Sequence, residues 1–197
     1  SYSRVLIAIE GLYSTDGDTP QLAGFVELKL AFDALLLVDE AHSFGVLGSR
    51  GLGIWEERDV SIEDIDIVMG TLSKTLCSCG GFVAGSRDLI ELLRYGAPGF
   101  VYSVGLSAAN AAAAESALDI LLEEPARVRR LRGLGAHFHA SVADAGLNLG
   151  TSEGLAVAPV IVGDSIAAIR ASNRLLEEGF NVLPIIAPAV PDRAARL

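Results

Sequence analysis

Basic residues are scarce in this sequence. The chain of 197 residues has 15 lysines and arginines against 25 aspartates and glutamates, and its formal net charge is −10. A nucleic-acid-binding surface needs a basic patch to neutralise phosphates, and an anionic membrane surface also attracts positive charge. The composition therefore disfavours both kinds of partner. An acidic protein can still bind a phosphate through backbone N–H groups at helix N-termini.

Long apolar runs and cysteines are scarce as well. No run reaches the roughly 20 apolar residues that a membrane span needs, and the first residues lack the charged start, apolar middle and cleavage site of a signal peptide. The two cysteines, Cys77 and Cys79, lie too close together to close a useful disulfide loop and supply at most half a metal site. We therefore expect reduced thiols, no metal, no membrane span and a cytoplasmic location.

Small and branched apolar residues are abundant, and their arrangement predicts an α/β protein with a mostly parallel sheet covered by helices. Hydrophobic residues make up 51% of the chain, which also has 21 glycines. Apolar runs of strand length predict strands at residues 5–9, 35–38, 65–72, 81–85, 100–103, 155–162 and 182–186. Helical spacing and capping residues predict a short helix that begins at Pro20 and further helices at residues 87–95, 107–124, 126–145 and 165–178.

The order of these elements predicts two domains. Strands with local crossovers come first, and two long helices and an α+β segment follow. We predict that residues 1–124 form part of a large cofactor-binding domain and residues 125–197 part of a smaller C-terminal domain. Both ends look cut, because the first strand has no preceding helix and the chain stops where a strand is beginning. We therefore expect a fragment of a longer polypeptide.

Two short motifs with ionisable side chains follow two of the predicted strands. Asp39 and His42 stand in the sequence Asp-Glu-Ala-His directly after residues 35–38, and Lys74 follows the run 67–72. In an open α/β sheet, strands that are buried on both faces bind ligands at their carboxyl ends. Pyridoxal phosphate (PLP) needs an acid against its pyridinium nitrogen and a lysine for covalent attachment. The two motifs therefore favour a PLP site.

Each of these residues also has an ordinary structural interpretation. Asp39 could cap the next loop, His42 could be a loop histidine, and Lys74 could be a surface lysine after a strand. Ser14 could help to orient the ring, but its segment contains an Asp-Gly pair that is typical of a plain turn. The Asp-x-x-His spacing favours a functional role over the structural one for Asp39 and His42.

The sequence Asp-Glu-Ala-His after an apolar strand is also the Walker B signature of DEAH-type helicases. Those enzymes need a P-loop, G-x-x-x-x-G-K-[ST], to bind the nucleotide phosphates, and no such sequence occurs in this chain. The excess of acidic residues also disfavours a nucleic-acid motor. We therefore set this alternative aside.

Four ordered motifs resemble those of the α-oxoamine synthases, a family of fold-type-I PLP-dependent enzymes. They are residues 10–18 (EGLYSTDGD), 37–48 (LVDEAHSFGVLG), 70–74 (GTLSK) and 80–83 (GGFV). The resemblance spans nearly the whole chain, and it implies the fold-type-I architecture with residues 1–124 in the PLP-binding domain. It also implies the family's reaction, a decarboxylative condensation of an amino acid with an acyl thioester, carried by coenzyme A or a carrier protein, that gives an α-amino ketone.

The same resemblance implies roles for individual residues. Lys74 would bind PLP covalently, Asp39 would bind the pyridine nitrogen, and His42 would bind the ring hydroxyl. These three residues would be the catalytic ones. Thr71 would contact the phosphate and Ser14 would lie near the ring.

The family works as an obligate homodimer with shared sites. By resemblance, Ser103 would reach the phosphate of the neighbouring subunit's cofactor. Two family elements would fall outside this sequence: an aromatic residue that stacks on the ring, upstream of Ser1, and an arginine that binds the substrate carboxylate, just past Leu197. We therefore expect residues 1–197 alone to be inactive.

Two other functions stay open. One is a class I/II aminotransferase of the same fold, although aminotransferases usually have a tyrosine at the position of His42. The other is a non-catalytic homologue or fragment that no longer binds the cofactor. Spectroscopic detection of bound PLP would separate that second possibility from an active enzyme.

Overall fold

The structure is a computed structural model, and it describes residues 4–197. In chain order its elements are β1 (Leu6–Glu10), α1 (Leu22–Phe32), β2 (Leu35–Asp39), α2 (Ile54–Glu57), β3 (Ile67–Thr71), β4 (Gly81–Gly85), α3 (Arg87–Gly96), α4 (Pro98–Val101), α5 (Ala108–Glu123), α6 (Ala126–Asp144), β5 (Ile161–Gly163), α7 (Ser165–Glu177) and β6 (Ala195–Arg196). A short 3₁₀ turn, Ile62–Asp64, precedes β3.

The chain divides into two compact units. Unit 1 comprises Ser1–Leu12, described from residue 4 onward, and Thr19–Arg130; unit 2 comprises Tyr13–Asp18 and Leu131–Leu197. The boundary predicted between residues 124 and 125 lies near the crossing from unit 1 to unit 2 at Arg130. The assignment of the two parts to a large and a small domain of the whole protein stays a prediction.

Unit 1 contains a four-stranded sheet in the order β1-β2-β3-β4. The first three strands are parallel, and β4 runs antiparallel to β3. The register aligns Glu10 of β1 with Asp39 of β2, and Asp39 with Met69 of β3. The carboxyl ends of the three parallel strands therefore meet at one edge of the sheet. The α/β class with a mostly parallel sheet is confirmed.

The strands are less buried than the sequence predicts. In β2, Leu36 and Val38 are fully buried, but Leu35 is 42% exposed. Successive side chains of a strand point to opposite faces of the sheet, and only one face of β2 is fully buried. The prediction that this strand is buried on both faces is therefore wrong for the part of the chain that the structure describes.

Three other predicted strands are wrong in whole or in part. Residues 98–101 form the short helix α4 instead of a strand, with Pro98 in its first turn, where proline's fixed φ favours a helix. The run 155–162 contains Pro159, and only Ile161–Gly163 pairs as a strand. The run 182–186 contains Pro184 and makes a single bridge, from Ile185 to Arg196. Proline has no N–H to donate to a strand partner, which explains both interruptions.

An apolar cluster holds the segment that follows β3. Leu72 and Leu76 are buried and pack with Ala114 of α5. The rings of Phe44 and Phe82 lie against this cluster, edge to face, with centroids 6.4 Å apart. Burial of a leucine side chain stabilises a fold by about 2 kcal/mol. The cluster therefore fixes the backbone on both sides of the residues between the two leucines.

Unit 2 is built around the antiparallel strands β5 and β6 and the helix α7. The segment Tyr13–Asp18 bonds to the rest of this unit through contacts that include the following two. Glu153 N–H donates to Gly17 O at 3.0 Å, and Arg196 Nη1 lies 2.6 Å from Asp16 Oδ1. Across residues 4–197, no helix is both long and apolar enough to cross a membrane.

Candidate active site

Asp39 is the last residue of β2 and lies at the edge where the parallel strands end. Its carboxylate oxygen Oδ1 accepts a hydrogen bond from the N–H of Ala41 at 2.8 Å, so Asp39 does cap the next turn. The side chain is half-buried. No lysine or arginine among residues 4–197 forms an ion pair with it, and Oδ2 accepts no hydrogen bond from those residues. One oxygen of this carboxylate is therefore available to a cationic N–H group.

His42 lies on the tight turn that follows β2. The carbonyl oxygen of Glu40 accepts hydrogen bonds from the N–H groups of Ser43, at 3.2 Å, and Phe44, at 2.9 Å. These bonds reverse the chain at the end of the strand. Ser43 is fully buried, whereas the His42 side chain is half-buried. The turn is thus fixed in the core while its imidazole stays accessible.

Lys74 lies against this imidazole. Its Nζ is 2.9 Å from Nε2 of His42, although the two residues are 32 positions apart in the chain. Lys74 is exposed, on the segment that Leu72 and Leu76 anchor. Because an ammonium group has only donors, Lys74 donates in this contact and Nε2 accepts. The structure thus brings the two residues together, and their catalytic roles stay a prediction.

The surroundings of His42 favour its neutral form. Burial lowers the pKa of His42 below its usual range, and the positive charge of Lys74 lowers it further. The negative charges of Glu10 and Asp39 act in the opposite direction without reversing the shift. At neutral pH the imidazole is therefore uncharged, and its Nε2 can accept a proton.

Two hydroxyl groups lie just before Lys74 in the chain. Thr71 Oγ1 accepts a hydrogen bond from the N–H of Ser73 at 3.1 Å and lies 2.7 Å from Ser73 Oγ. It also donates to the carbonyl oxygen of Gly80 at 3.2 Å. This contact fixes the Thr71 side chain at the end of β3. A pair of adjacent hydroxyls can donate to an anionic oxygen, and the predicted contact with a phosphate stays a prediction.

The two remaining predicted residues are Ser103 and Ser14. Ser103 follows α4 on an exposed turn, and its Oγ accepts a hydrogen bond from Gly105 N–H at 3.2 Å. In the part of the chain that the structure describes, it makes no hydrogen bond with His42 or Lys74. Ser14 belongs to unit 2, where it lines an open cavity of about 200 Å³ together with Arg196. The roles of both serines stay predictions.

Sequence reasoning missed the most deeply buried acid of the site, Glu40. Only 1% of this residue is exposed, and its carboxylate accepts hydrogen bonds from the Ser43 hydroxyl and from Ile54 N–H. Burial raises the pKa of Glu40 to about 7, although these two hydrogen bonds oppose the shift. The signal was present in the sequence. Two consecutive acids after an apolar strand point to opposite faces, so one of them must enter the core.

Taken together, these groups can bind a carbonyl compound that carries a basic nitrogen. Lys74 offers an accessible amine, His42 an uncharged imidazole that can accept the amine's proton, and Asp39 a carboxylate oxygen without a protein partner. An amine activated by an adjacent base is the arrangement that forms covalent bonds with carbonyl carbons. The pattern suits a covalently held aldehyde cofactor with a basic ring nitrogen.

Similarity to known proteins points the same way. A family model described as aminotransferase class I and II matches residues 1–197. The 8-amino-7-oxononanoate synthase of Thioalkalivibrio sulfidiphilus (strain HL-EbGR7) is 40% identical over 192 residues, which are 98% of this chain and 49% of that protein. The chain spans about half the length of the curated relatives it matches.

Solved structures of similar proteins have the same fold. The serine palmitoyltransferase of Sphingomonas wittichii superposes with a TM-score of 0.90 at 32% identity, covering 98% of this chain and 48% of that one. A lysine-to-alanine variant of the serine palmitoyltransferase from S. paucimobilis, with a bound PLP–myriocin aldimine, superposes with a TM-score of 0.91 at 30% identity and with the same coverage. These similarities confirm the predicted fold-type-I transferase architecture and the resemblance to the α-oxoamine synthases.

Proposed function

We propose that this chain, which belongs to the aminotransferase class I and II family, is part of an α-oxoamine synthase. The activity would be the PLP-dependent decarboxylative condensation of an amino acid with an acyl thioester. The observation that carries the proposal is the 2.9 Å contact between Lys74 Nζ and His42 Nε2 at the carboxyl ends of the parallel strands. The curated relative at 40% identity is named as a synthase of this kind, which supports condensation over transamination.

The residues present fit PLP as the cofactor. The exposed amine of Lys74 can attach an aldehyde, and the free oxygen of Asp39 can accept an N–H from a ring nitrogen. The hydroxyls of Thr71 and Ser73 would donate to its phosphate in place of the bonds that they now make to Gly80 O and to each other. When bound, PLP supplies an aldehyde and a protonated ring that withdraws electrons from the substrate carbon.

The protein's own groups would prepare the lysine. Lys74 is a nucleophile only when its amine has lost a proton, and His42 Nε2 lies at hydrogen-bond distance to accept it. Because burial and the lysine's charge keep the His42 pKa low, the imidazole is available as a base at neutral pH. We propose that His42 then donates to the ring hydroxyl and that Asp39 keeps the ring nitrogen protonated.

The whole protein is proposed to be a cytoplasmic homodimer. Exposed apolar residues on the segment after α4 support an interface there, since Tyr102 is 89% exposed and Val104 is fully exposed. On this proposal Ser103 contributes to the phosphate site of the partner subunit, and Ser14 lies near the ring. Residues 1–124 would belong to the PLP-binding domain and 125–197 to the smaller one.

Chemical labelling of the lysine tests the cofactor assignment. The chain has two lysines, and Lys29 is already paired with Asp66 at 2.7 Å. Reduction of the PLP-loaded whole protein with borohydride, followed by peptide sequencing, should find the pyridoxyl group on Lys74. Lys29→Arg should keep the label and Lys74→Ala should lose it. A label on any other lysine would show that Lys74 does not hold the cofactor.

Product analysis tests the reaction. The whole protein is incubated with a panel of amino acids, each with and without acyl-CoA or acyl-carrier protein. Condensation releases carbon dioxide and the free thiol in equal amounts, and only when both substrates are present. Formation of a 2-oxo acid from the amino acid would instead support an aminotransferase. Absence of bound PLP would support a non-catalytic homologue.

A further inference from the structure

The Glu40 carboxylate joins two stretches of chain that are separate in sequence. It accepts a hydrogen bond from the hydroxyl of Ser43, on the turn that carries His42. Both of its oxygens also lie 3.1 Å from the N–H of Ile54, the first residue of α2. Ile54 is fully buried. The carboxylate therefore ties the His42 turn to a fixed point in the core.

The surrounding backbone is shaped to leave room for this carboxylate. A Cβ atom at Gly11 would lie 2.8 Å from Glu40 Oε2, and one at Gly53 would lie 2.5 Å from Glu40 Cδ. Gly53 also has a φ of 117°, which other residues rarely adopt. The side chains of Ser43 and Glu40 thus favour glycine at position 11, just after β1, and the Glu40 side chain favours it at position 53, before α2.

The backbone of Glu40 restrains the same turn. Its carbonyl oxygen accepts the N–H groups of Ser43 and Phe44, and its side chain accepts the Ser43 hydroxyl. Glu40 and Ser43 stand on either side of His42, so bonds made by Glu40 fix both ends of the short segment that carries the imidazole. A contact of about 3.6 Å is no longer a hydrogen bond, so a shift of this turn by about 1 Å would break the contact with Lys74.

We infer that Glu40 is a positioning residue, which holds His42 in contact with Lys74 by tying the turn to Ile54 through its buried carboxylate. The significance of this role for catalysis rests on the proposed function. Glu40 does not touch the cofactor or substrate on this view, because its side chain is closed off from solvent. Its effect passes through Ser43 to the imidazole.

The test uses four variants of the whole protein. Glu40→Ala removes the tie. Glu40→Gln retains it, because an amide oxygen can accept from Ile54 and an amide N–H can donate to Ser43. Ser43→Ala breaks only the link to the turn. Asp66→Ala is the matched control, since Asp66 also accepts a backbone N–H, from Leu36 at 2.8 Å, at the opposite end of β2.

The decisive measurement is the titration of His42 by NMR with labelled histidine, in protein without cofactor. Release from the turn takes the imidazole away from Lys74 and from its buried surroundings. The His42 pKa should therefore rise toward its usual value in Glu40→Ala and in Ser43→Ala, and stay low in Glu40→Gln and Asp66→Ala. An unchanged His42 titration in Glu40→Ala overturns the inference. If Glu40→Ala does not fold, an unchanged His42 titration in Ser43→Ala overturns the inference instead.

Kinetics of the loaded enzyme give the second readout. We expect kcat to fall on the order of 10- to 100-fold in Glu40→Ala, with KM for the amino acid nearly unchanged, because misplacement of a catalytic group slows chemistry more than binding. Glu40→Gln should restore most of the rate. Equal losses in Glu40→Ala and Asp66→Ala would show a purely structural role. If neither the wild type nor any variant condenses the substrates, the proposed function is wrong. The NMR titration of His42 still tests whether Glu40 positions the imidazole.

Discussion

Adjacent carboxylates at the end of β2 have different environments and therefore different uses. Asp39 is half-buried and keeps one oxygen without a protein partner, so it can receive a charged group from a ligand. Glu40 points into the core, where every polar contact is with the protein itself. A single step along a strand reverses the direction of the side chain. One sequence motif can thus offer one carboxylate to a ligand and hold the other within the fold.

The buried position of Glu40 makes stability depend on pH. Its pKa of about 7 in the folded protein lies above the 4.5 of an ordinary glutamate. The folded state therefore favours the protonated form, and its contribution to stability is complete below pH 4.5 and lost as the pH rises to 7. Glu40→Gln cannot ionise and should not show this loss.

We expect the unfolding free energy of Glu40→Gln, relative to wild type, to rise by roughly 3 kcal/mol over that range, at about 1.4 kcal/mol for each pKa unit. Urea unfolding of both proteins at several pH values measures the difference, in which the contributions of all other groups cancel. A difference that stays constant with pH would mean that Glu40 titrates like an exposed glutamate.

At the scale of elements, the sequence predicted those parts of the fold that depend on local pattern. The strands β1 to β4 and the long helices α5 and α6 were predicted within a few residues, because apolar runs and capping residues mark them. The strand predicted at residues 100–103 is wrong because Pro98 begins a helix there. The predicted strands of unit 2 are too long, because the prediction relied on apolar composition. Pro159 and Pro184 have no N–H to donate to a neighbouring strand, and only Ile161–Gly163 and the bridge at Ile185 pair.

The apolar cluster beside Lys74 is the element on which the lysine's position depends. Leu76 is 5% exposed and packs with Leu72 and Ala114. Truncation to alanine leaves a cavity, and we expect Leu76→Ala to lower the unfolding free energy by about 2–5 kcal/mol. PLP should also dissociate faster, because the segment that carries Lys74 loses its anchor.

The control is Leu176→Ala on α7, where the leucine is 59% exposed. This variant should change the unfolding free energy by less than about 0.5 kcal/mol, as is usual for surface positions. Urea unfolding and the dissociation rate of PLP, measured on the whole protein, give the comparison. Equal values for the two variants would mean that the cluster does not stabilise the Lys74 segment.

At the scale of the whole chain, the segment Tyr13–Asp18 links the beginning of the sequence to its end. It interrupts unit 1 in sequence but belongs to unit 2. Arg196 Nη1 bonds to Asp16 Oδ1 at 2.6 Å and to the carbonyl oxygen of Thr15 at 2.9 Å. Local pattern could not predict this ion pair, because its partners are 180 residues apart. Ser14 lies within the same segment, between Tyr13 and the residues that Arg196 contacts.

Asp16→Ala should therefore loosen this segment. Arg196 is 6% exposed at its side chain and would keep an uncompensated charge, whereas Asp16 is 46% exposed. Because one partner is half in solvent, we expect a loss of about 1–2 kcal/mol in unfolding free energy, less than for a fully buried pair. Amide hydrogen exchange should become faster at Glu153, whose N–H donates to Gly17 O, and at Gly17, whose own N–H donates to Tyr13 O inside the segment.

The pH dependence of this effect has the opposite sign to that of Glu40. A hydrogen bond from the Thr15 hydroxyl, together with Arg196, holds the pKa of Asp16 below its usual range, although burial acts against this shift. The stabilisation is therefore present at neutral pH and disappears as acid protonates the folded carboxylate.

Arg174→Ala, which removes ion pairs of a 75% exposed arginine, is the control and should leave exchange at both amides unchanged. If Asp16→Ala and Arg174→Ala behave alike at neutral pH, the Asp16–Arg196 pair does not hold Tyr13–Asp18 in unit 2, and the position of Ser14 must depend on other contacts.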